Sequence, residues 1–405
     1  MRISHFIVVG TASAVGVVAG VPAVAAPGPE GSKARVTVVA TGLNNPRGVI
    51  AGPDGVLLVA EAGLGAGKNF GKGPCIASPE DPTAQACVGT TGSVSVVVPP
   101  HRRPWGLSRG GTSKRWRDFR IVKGLPSVAG EDGSAALGPH DLTFGPHGLL
   151  GSIGLGGDPA DREALGPQGR LLGRVVKLHP FDGASPFADL VAYEAANNPD
   201  QGDEGSEIDS NPYGLLTDWR ERRTVATDAG GNSVLAIDGE GRITTLGVLH
   251  VSEADAPPFL GLPPGTKLPM QAVPTSVVRG PDGALYIGQL TGFPFPPGGA
   301  NVWRLAPDGT LSPYAVGFTN IIDIAFDRQG RLLVLSIAKN GLLNTPEGEL
   351  PVGGLFRIER DGTRTELAAG SLAAPGGLVV ADDGFLYVTN KSILPGAGEL
   401  LRIRP

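Results

Sequence analysis

The sequence predicts an all-β protein, one six-bladed β-propeller of four-stranded antiparallel blades, its ring closed by the N-terminal strand pairing with the last blade. Three observations carry that prediction. One unit recurs: an apolar strand, a turn of the "PDG" type, a second apolar strand, a third strand of alternating basic and apolar residues, and a fourth. Its copies start at Pro46, Pro139, Pro212, Pro274, Asn320 and Pro375, the clearest being "PTSVVRGPDGALYIGQLTG…ANVWRLAPDGTLSPYAVG". The turns fit hairpins. Asp54-Gly55, Asp282-Gly283, Gln329-Gly330 and Asp383-Gly384 would join first to second strands, and Asp308-Gly309 and Asp361-Gly362 third to fourth. Glycine accepts the positive φ such turns need. Finally, the last copy stops after "GELLRIRP", one strand short, while "ARVTVVATGLNNPRG" precedes the first copy and reads like a fourth strand. Arg35 to Thr41 should therefore close the ring, leaving no long exposed edge.

Taken in order, residues 1–25 read as a secretory signal: Arg2, the apolar "FIVVGTASAVGVVAGV", then Ala23-Val24-Ala25 as a small-residue cleavage site. A retained membrane anchor is the alternative, but the stretch is barely long enough to span a bilayer. Residues 26–34 form a short linker, and 35–405 a single propeller domain. The expected location is extracellular. Cys75 and Cys87 flank "IASPEDPTAQA" and should form one disulfide in an oxidising compartment. Between His101 and Lys123 lie Arg102, Arg103, Arg109, Lys114, Arg115, Arg117 and Arg120, with Trp105 and Trp116 among them. This segment reads as a solvated loop.

The second copy opens with "GPHDLTFGPHG", placing His140 and Asp141 where the first has Arg47 and Gly48. Ahead of the third lies "NNPDQGDEGSEIDSNPYG", rich in acids. Counted from Asn198 it fails the EF-hand spacing, so it reads as a solvated acidic loop, with an irregular calcium site as the alternative. "DAGGNSVLAID", Asp228 to Asp238, reads as a tight strand-to-strand turn whose oxygens would also suit a hard cation.

Composition bounds the function. The 63 Gly and 37 Pro approach the level of disordered chains, but 41% hydrophobic residues supply a large core. A net charge of −5 excludes a nucleic-acid binder of the usual basic kind. No segment after the first is long and apolar enough to span a bilayer, and the chain is expected to be a monomer. There is no G-x-S-x-G elbow and no H-E-x-x-H. "GLGAGKNFGKG" departs from the phosphate-loop spacing.

In a propeller, the start of strand one and the end of strand two share one face, around the central channel. Strand-one starts contribute Arg47, His140, Asp141, Asn211, Thr275 and Asp323. Strand-two ends contribute Glu61, Asp228, Asn232, Gln289, Thr291, Asn390 and Lys391. We read Arg47, Glu61, His140, Asp141, Asn211, Thr275, Gln289, Thr291 and Lys391 as ligand-binding candidates. His140 and Asp141 are the catalytic candidates, and Asp228, Asn232 and Asp323 the metal candidates. Each has a structural alternative, since an Asp early in an inner strand often binds backbone N–H groups. Consecutive strand residues face opposite ways, so His140 and Asp141 form a dyad only if the strand is irregular.

"TGLNNPRGV", "GPHDLTFG", "DSNPYGL", "DAGGNSVLAID", "GFTNIIDIAFD" and above all "GQLTGFPFPPGGANVWR" (Gly288 to Arg304) resemble the ScyD/ScyE family over about Val36 to Pro405. The resemblance implies a secreted propeller related to NHL-repeat and SMP-30-like proteins, without a known reaction. SMP-30-like lactonases hold a divalent cation in the channel with Glu, Asn and Asp, which polarises the lactone and activates water. Here Glu61, Asn211, Asp228, Asn232 and Asp323 would supply the oxygens, but Arg47 stands where that family places its glutamate. Two function classes follow. One is a secreted module binding a small molecule, glycan or protein at the channel mouth, where "FPFPP" (Phe293 to Pro297) would form a broad apolar lining. The other is a metal-dependent lactonase or hydrolase. No cofactor is assigned; calcium or another divalent cation is the one the oxygen donors would suit.

Overall fold

The computed structural model describes residues 35–78, 83–102 and 113–405. The expected signal segment and linker, and Arg103, Trp105 and Arg109, lie outside them.

Six antiparallel sheets of four or more strands surround one axis. Their innermost strands are Pro46–Ala51, Pro139–Gly145, Pro212–Asp218, Pro274–Arg279, Ile321–Phe326 and Gly377–Val380, and each touches the next around a closed ring. The expected closure is present. Arg35–Leu43 lies antiparallel to Gly398–Arg404 and supplies the outer strand of the sixth blade. The Asp-Gly turns hold their register with positive φ, for example +84° at Gly283 and +87° at Gly309.

Strand alternation explains why the inner strands read as nearly continuous apolar runs. Each blade is a layer buried on both faces. In Leu57–Glu61, Leu57 and Val59 pack toward the sixth blade with Leu400, whereas Leu58 and Ala60 pack toward the second with Leu142 and Val176. Likewise Leu285 and Ile287 face the third blade while Tyr286 faces the fifth. Burying each such side chain contributes about 1.5–3 kcal/mol.

Several features depart from the simple repeat. Arg117–Ala129 is the outer strand of the first blade, so the basic loop expected through Lys123 ends before it. The cations had masked the strand in "DFRIV", where a bulge at Ile121 leaves both Ile121 and Val122 buried. The extra strand Cys75–Ala77 pairs with the start of Gln85–Val98 and places Cys75 opposite Cys87, which are disulfide-bonded. A two-stranded hairpin, Ser252–Asp255 with Lys267–Met270, sits between the third and fourth blades. Short helices at Pro159–Ala164 and Leu190–Asn197 decorate the second. Among the described residues no helix is long and apolar enough to cross a membrane.

Candidate functional site

The ends of the inner strands converge on the channel mouth. Five of these strands break register beside their first residue: Pro46/Val49, Pro139/Asp141, Pro212/Leu215, Pro274/Ser276 and Ile321/Asp323. The residues skipped by the pairing include Arg47, His140, Tyr213, Thr275 and Ile322. A bulge re-aims a side chain that strict alternation would turn into a blade face. The irregularity needed to bring His140 and Asp141 near one another is therefore present.

His140 is 1% exposed. Its Nδ1 lies 3.0 Å from the carbonyl oxygen of Pro212. A carbonyl only accepts, so Nδ1 carries the proton and Nε2 presents a lone pair. Nε2 has no partner. The ring packs against Tyr213 with centroids 4.4 Å apart. Burial, and next the nearby Arg47 charge, push the imidazole down to about 3, so it is neutral near pH 7.

Arg47 is 3% exposed. Its Nη2 donates to Ala136 O at 3.0 Å, while Nε and Nη1 have no partner. Asn211 Oδ1 and the Tyr213 hydroxyl are also buried without partners. These groups share one space. The Arg47 charge acts on both His140 and Tyr213, and a Cβ added at Gly154 would lie 2.1 Å from His140 Cε1 and 2.4 Å from Asn211 Oδ1. Three blades thus bring together two donors in mutual hydrogen-bonding reach (Arg47, Tyr213) and two acceptors without partners (His140 Nε2, Asn211 Oδ1). Buried polar groups normally find partners, and leaving each one unmet costs about 1–3 kcal/mol.

Asp141 and Asp323 play a different part. Asp141 Oδ1 accepts from Leu142 N and Oδ2 from Leu215 N, both at 2.8 Å, joining the second blade to the third. Asp323 repeats this on the fifth and sixth blades, accepting from Ile324 N and Leu378 N at 2.7 Å. Both are half-buried in the channel wall on opposite blades. A Cβ at Gly48 would meet Asp141 Oδ1 at 2.3 Å, so only glycine lets the first inner strand pass there. Burial raises Asp141 to about 7 despite its backbone hydrogen bonds. Asp323 is raised well above the usual range by burial and then by the charge of Asp141.

Other candidates are held within or between blades. Glu61 is fully buried, accepting from Ser95 Oγ (2.5 Å) and Asn44 N (2.7 Å) and pairing with Arg120 at 2.5 Å. Thr275 Oγ1 donates to Ile321 O at 3.0 Å. Gln289 Oε1 accepts from Trp303 Nε1 at 2.8 Å. Lys391 Nζ pairs with Glu399 at 2.6 Å, and Asn390 Nδ2 donates to the same carboxylate at 3.1 Å. Thr291 Oγ1 is buried without a partner. Of "FPFPP", Phe295 is 2% exposed and belongs to the core, Phe293 packs beside it partly buried, and Pro297 is exposed.

Asp228 and Asn232 hold the turn the sequence suggested. Asp228 accepts from Ser210 Oγ and Asn211 N, both at 2.6 Å, and from Gly230 and Gly231 N at 3.2 and 3.3 Å. Burial lifts it to about 6. Asn232 Nδ2 donates to Asp200 and Gln271, and its Oδ1 accepts from Ala272 and Val273 N. The acidic stretch is not a solvated loop throughout, since Asp200 and Asp209 are buried beside this turn. Glu194 joins them, pushed up to about 9 by burial and next by Asp228, Asp200 and Asp209. Among the described residues no three His, Cys, Asp or Glu side chains are arranged to hold a metal. The channel donors do not fit a divalent cation: Asp323 and Asp228 bind backbone amides, Glu61 binds Arg120, and Arg47 brings a positive charge to the mouth.

Tyr213 and Glu194 escaped sequence reasoning. Tyr213 was recoverable, because in "NPYG" it stands in register with His140 of "GPHD". Glu194 lies in an ordinary helical stretch and carries no signal.

No protein-family model matches the chain, and no curated protein does. Similar solved structures include a protein of unknown function from Bacteroides thetaiotaomicron (8% identity, TM-score 0.50, covering 91% of this chain and 76% of that one). A glucose dehydrogenase aligns at 13% identity and TM-score 0.48, covering 92% of this chain and 99% of that one. Virginiamycin B lyase from Staphylococcus aureus aligns at 11% and 0.44, with 92% and 99% covered. At such identities the likeness speaks for the propeller fold and not for an activity.

Proposed function

We propose that the mature chain is an exported binding propeller of the ScyD/ScyE type that holds a small hydroxy acid at the channel mouth. One observation carries this reading: the buried Arg47 guanidinium, with one carbonyl partner and the Tyr213 hydroxyl in reach, stands beside His140 Nε2 and Asn211 Oδ1, both buried without partners. A carboxylate oxygen would satisfy Arg47 and accept from Tyr213, since charge-assisted bonds to arginine are the strong ones. A neighbouring hydroxyl would donate to His140 Nε2 or Asn211 Oδ1. His140 stays neutral at physiological pH and so keeps its lone pair for that contact. Asp141 and Asp323 hold the blades in place around the site. Export is supported by the apolar N-terminal segment with its Ala23-Val24-Ala25 end and by the Cys75–Cys87 disulfide.

The test is calorimetry on the mature chain with aldonic acids, their lactones and neutral sugars. Saturable binding of the acids, lost in Arg47→Met and without lactone turnover, is the expected result. Lactone hydrolysis would restore the hydrolase reading, and preference for neutral sugars would remove the role given to Arg47.

A further inference from the structure

A cleft of about 290 Å3 opens on the face opposite the channel mouth, between the strand-one hairpins of the third and fourth blades. Arg220, Arg223 and Arg279 line it. Their counter-charges are few. The buried Asp218 serves two of them, pairing with Arg279 and lying 3.5 Å from Arg223 Nε. Asp282, also at the rim, is engaged by Arg304 at 2.7 Å and by the Tyr286 hydroxyl at 3.2 Å. Glu221 is the remaining acid, and it is exposed. Arg220 makes no ion pair among the described residues. Its position is nevertheless defined: a Cβ at Gly283 would come within 2.9 Å of Arg220 Nη1, and Arg279 donates to the Gly283 carbonyl. Two guanidinium groups therefore flank one turn. Beside them the lining is mixed, with the exposed Pro307 and half-buried Leu246 above the buried Leu285 and Leu305.

We propose that this cleft is a second ligand site, taking a small organic anion whose oxyanion meets Arg220 at the Gly283 turn, beside Arg279, and whose apolar body lies on Leu246 and Pro307. Arginine forks suit phosphate and carboxylate oxygens alike, so the shared chemistry is an oxyanion on an apolar body. The site is independent of the channel mouth and uses none of its residues.

The experiment titrates phenyl phosphate, inorganic phosphate and phenol into the mature chain at low ionic strength, with Arg220→Gln as the variant. Arg220 is exposed, so its replacement should leave the melting temperature unchanged. The expected result is saturable binding of phenyl phosphate, weaker binding of inorganic phosphate and none of phenol. Arg220→Gln should weaken phenyl phosphate at least about 5-fold, and about 0.3 M salt should weaken it in the parent. No saturable binding, tighter binding of phenol than of phenyl phosphate, or equal affinity in Arg220→Gln would each overturn the proposal.

Discussion

Glu61 and Arg47 lie on adjacent strands of the first blade, one residue apart in register, since Pro46 faces Glu61. Both charges are buried. Glu61 has a cation, a hydroxyl and a backbone amide around it. Arg47 has one carbonyl and the Tyr213 hydroxyl in reach, and no counter-charge. The first arrangement is what a fold needs to tolerate a buried charge. The second is incomplete as it stands, and a fold tolerates it only if something else completes it. The difference teaches that burial and charge do not by themselves mark a site; the unmet hydrogen bonds do.

The sharpest way to break this comparison is to remove each charge in turn. Glu61→Ala should destabilise the protein by about 3 kcal/mol, because Ser95, Asn44 N and Arg120 lose their common acceptor. Urea unfolding monitored by tryptophan fluorescence reads it. A loss under about 1 kcal/mol would make Glu61 another incomplete charge. Replacing Cys75 and Cys87 by serine should cost a similar amount, about 3 kcal/mol, from the short loop they close. That result would leave the Glu61 and Arg47 comparison untouched and so calibrates it.

Asp323→Ala should cost about 2 kcal/mol, since two inter-blade and intra-strand amides would lose their acceptor. Differential scanning calorimetry would show it, and a neutral outcome would mean that Asp323 belongs to the ligand site and not to the frame.

The pH dependence separates frame from site differently. Burial lifts Asp228 to about 6 and Asp141 to about 7 in the folded protein. The native state therefore binds these protons more tightly than the unfolded chain. Their contribution to stability is complete below about pH 4 and is lost as pH rises through 6 to 7. Surface carboxylates held low by hydrogen bonds, such as Asp361 and Asp308, act in the opposite sense only below about pH 4. His140, held down to about 3, does so up to about pH 6.5, while Glu194, lifted to about 9, adds to the fall at higher pH. The melting temperature should fall between pH 5 and pH 8, and Asp141→Asn should flatten that slope. A melting temperature rising over the same range would contradict the assignment.

Much of the fold was legible because its devices are local. Asp282-Gly283 states a hairpin, and the missing strand after Gly398–Arg404 asks for Arg35 to Thr41. What the sequence hid lies in longer-range choices. "RDFRIVKG" looked like a charged loop because Arg117, Asp118, Arg120 and Lys123 interrupt its apolar residues, while Arg120 in fact turns onto the buried Glu61. In the site, His140 and Arg47 were legible from their place in the repeat. Which candidates are already partnered was not. Glu61 meets Arg120 across 59 residues within the first blade, and Asp141 meets Leu215 across 74 between neighbouring blades, contacts that strand pairing and blade packing bring together.

The smallest expected stability effect tests the central claim most directly. Arg47→Met should change stability by no more than about 1 kcal/mol, since it removes two unmet donors along with one hydrogen bond. The same variant should bind gluconate at least about 10-fold more weakly than the parent at pH 7, measured by calorimetry beside urea unfolding on one preparation. Preserved stability with lost binding is the predicted result. A loss of more than about 3 kcal/mol, or gluconate affinity equal to that of the parent, would show that Arg47 belongs to the frame and that the channel mouth is not the ligand site.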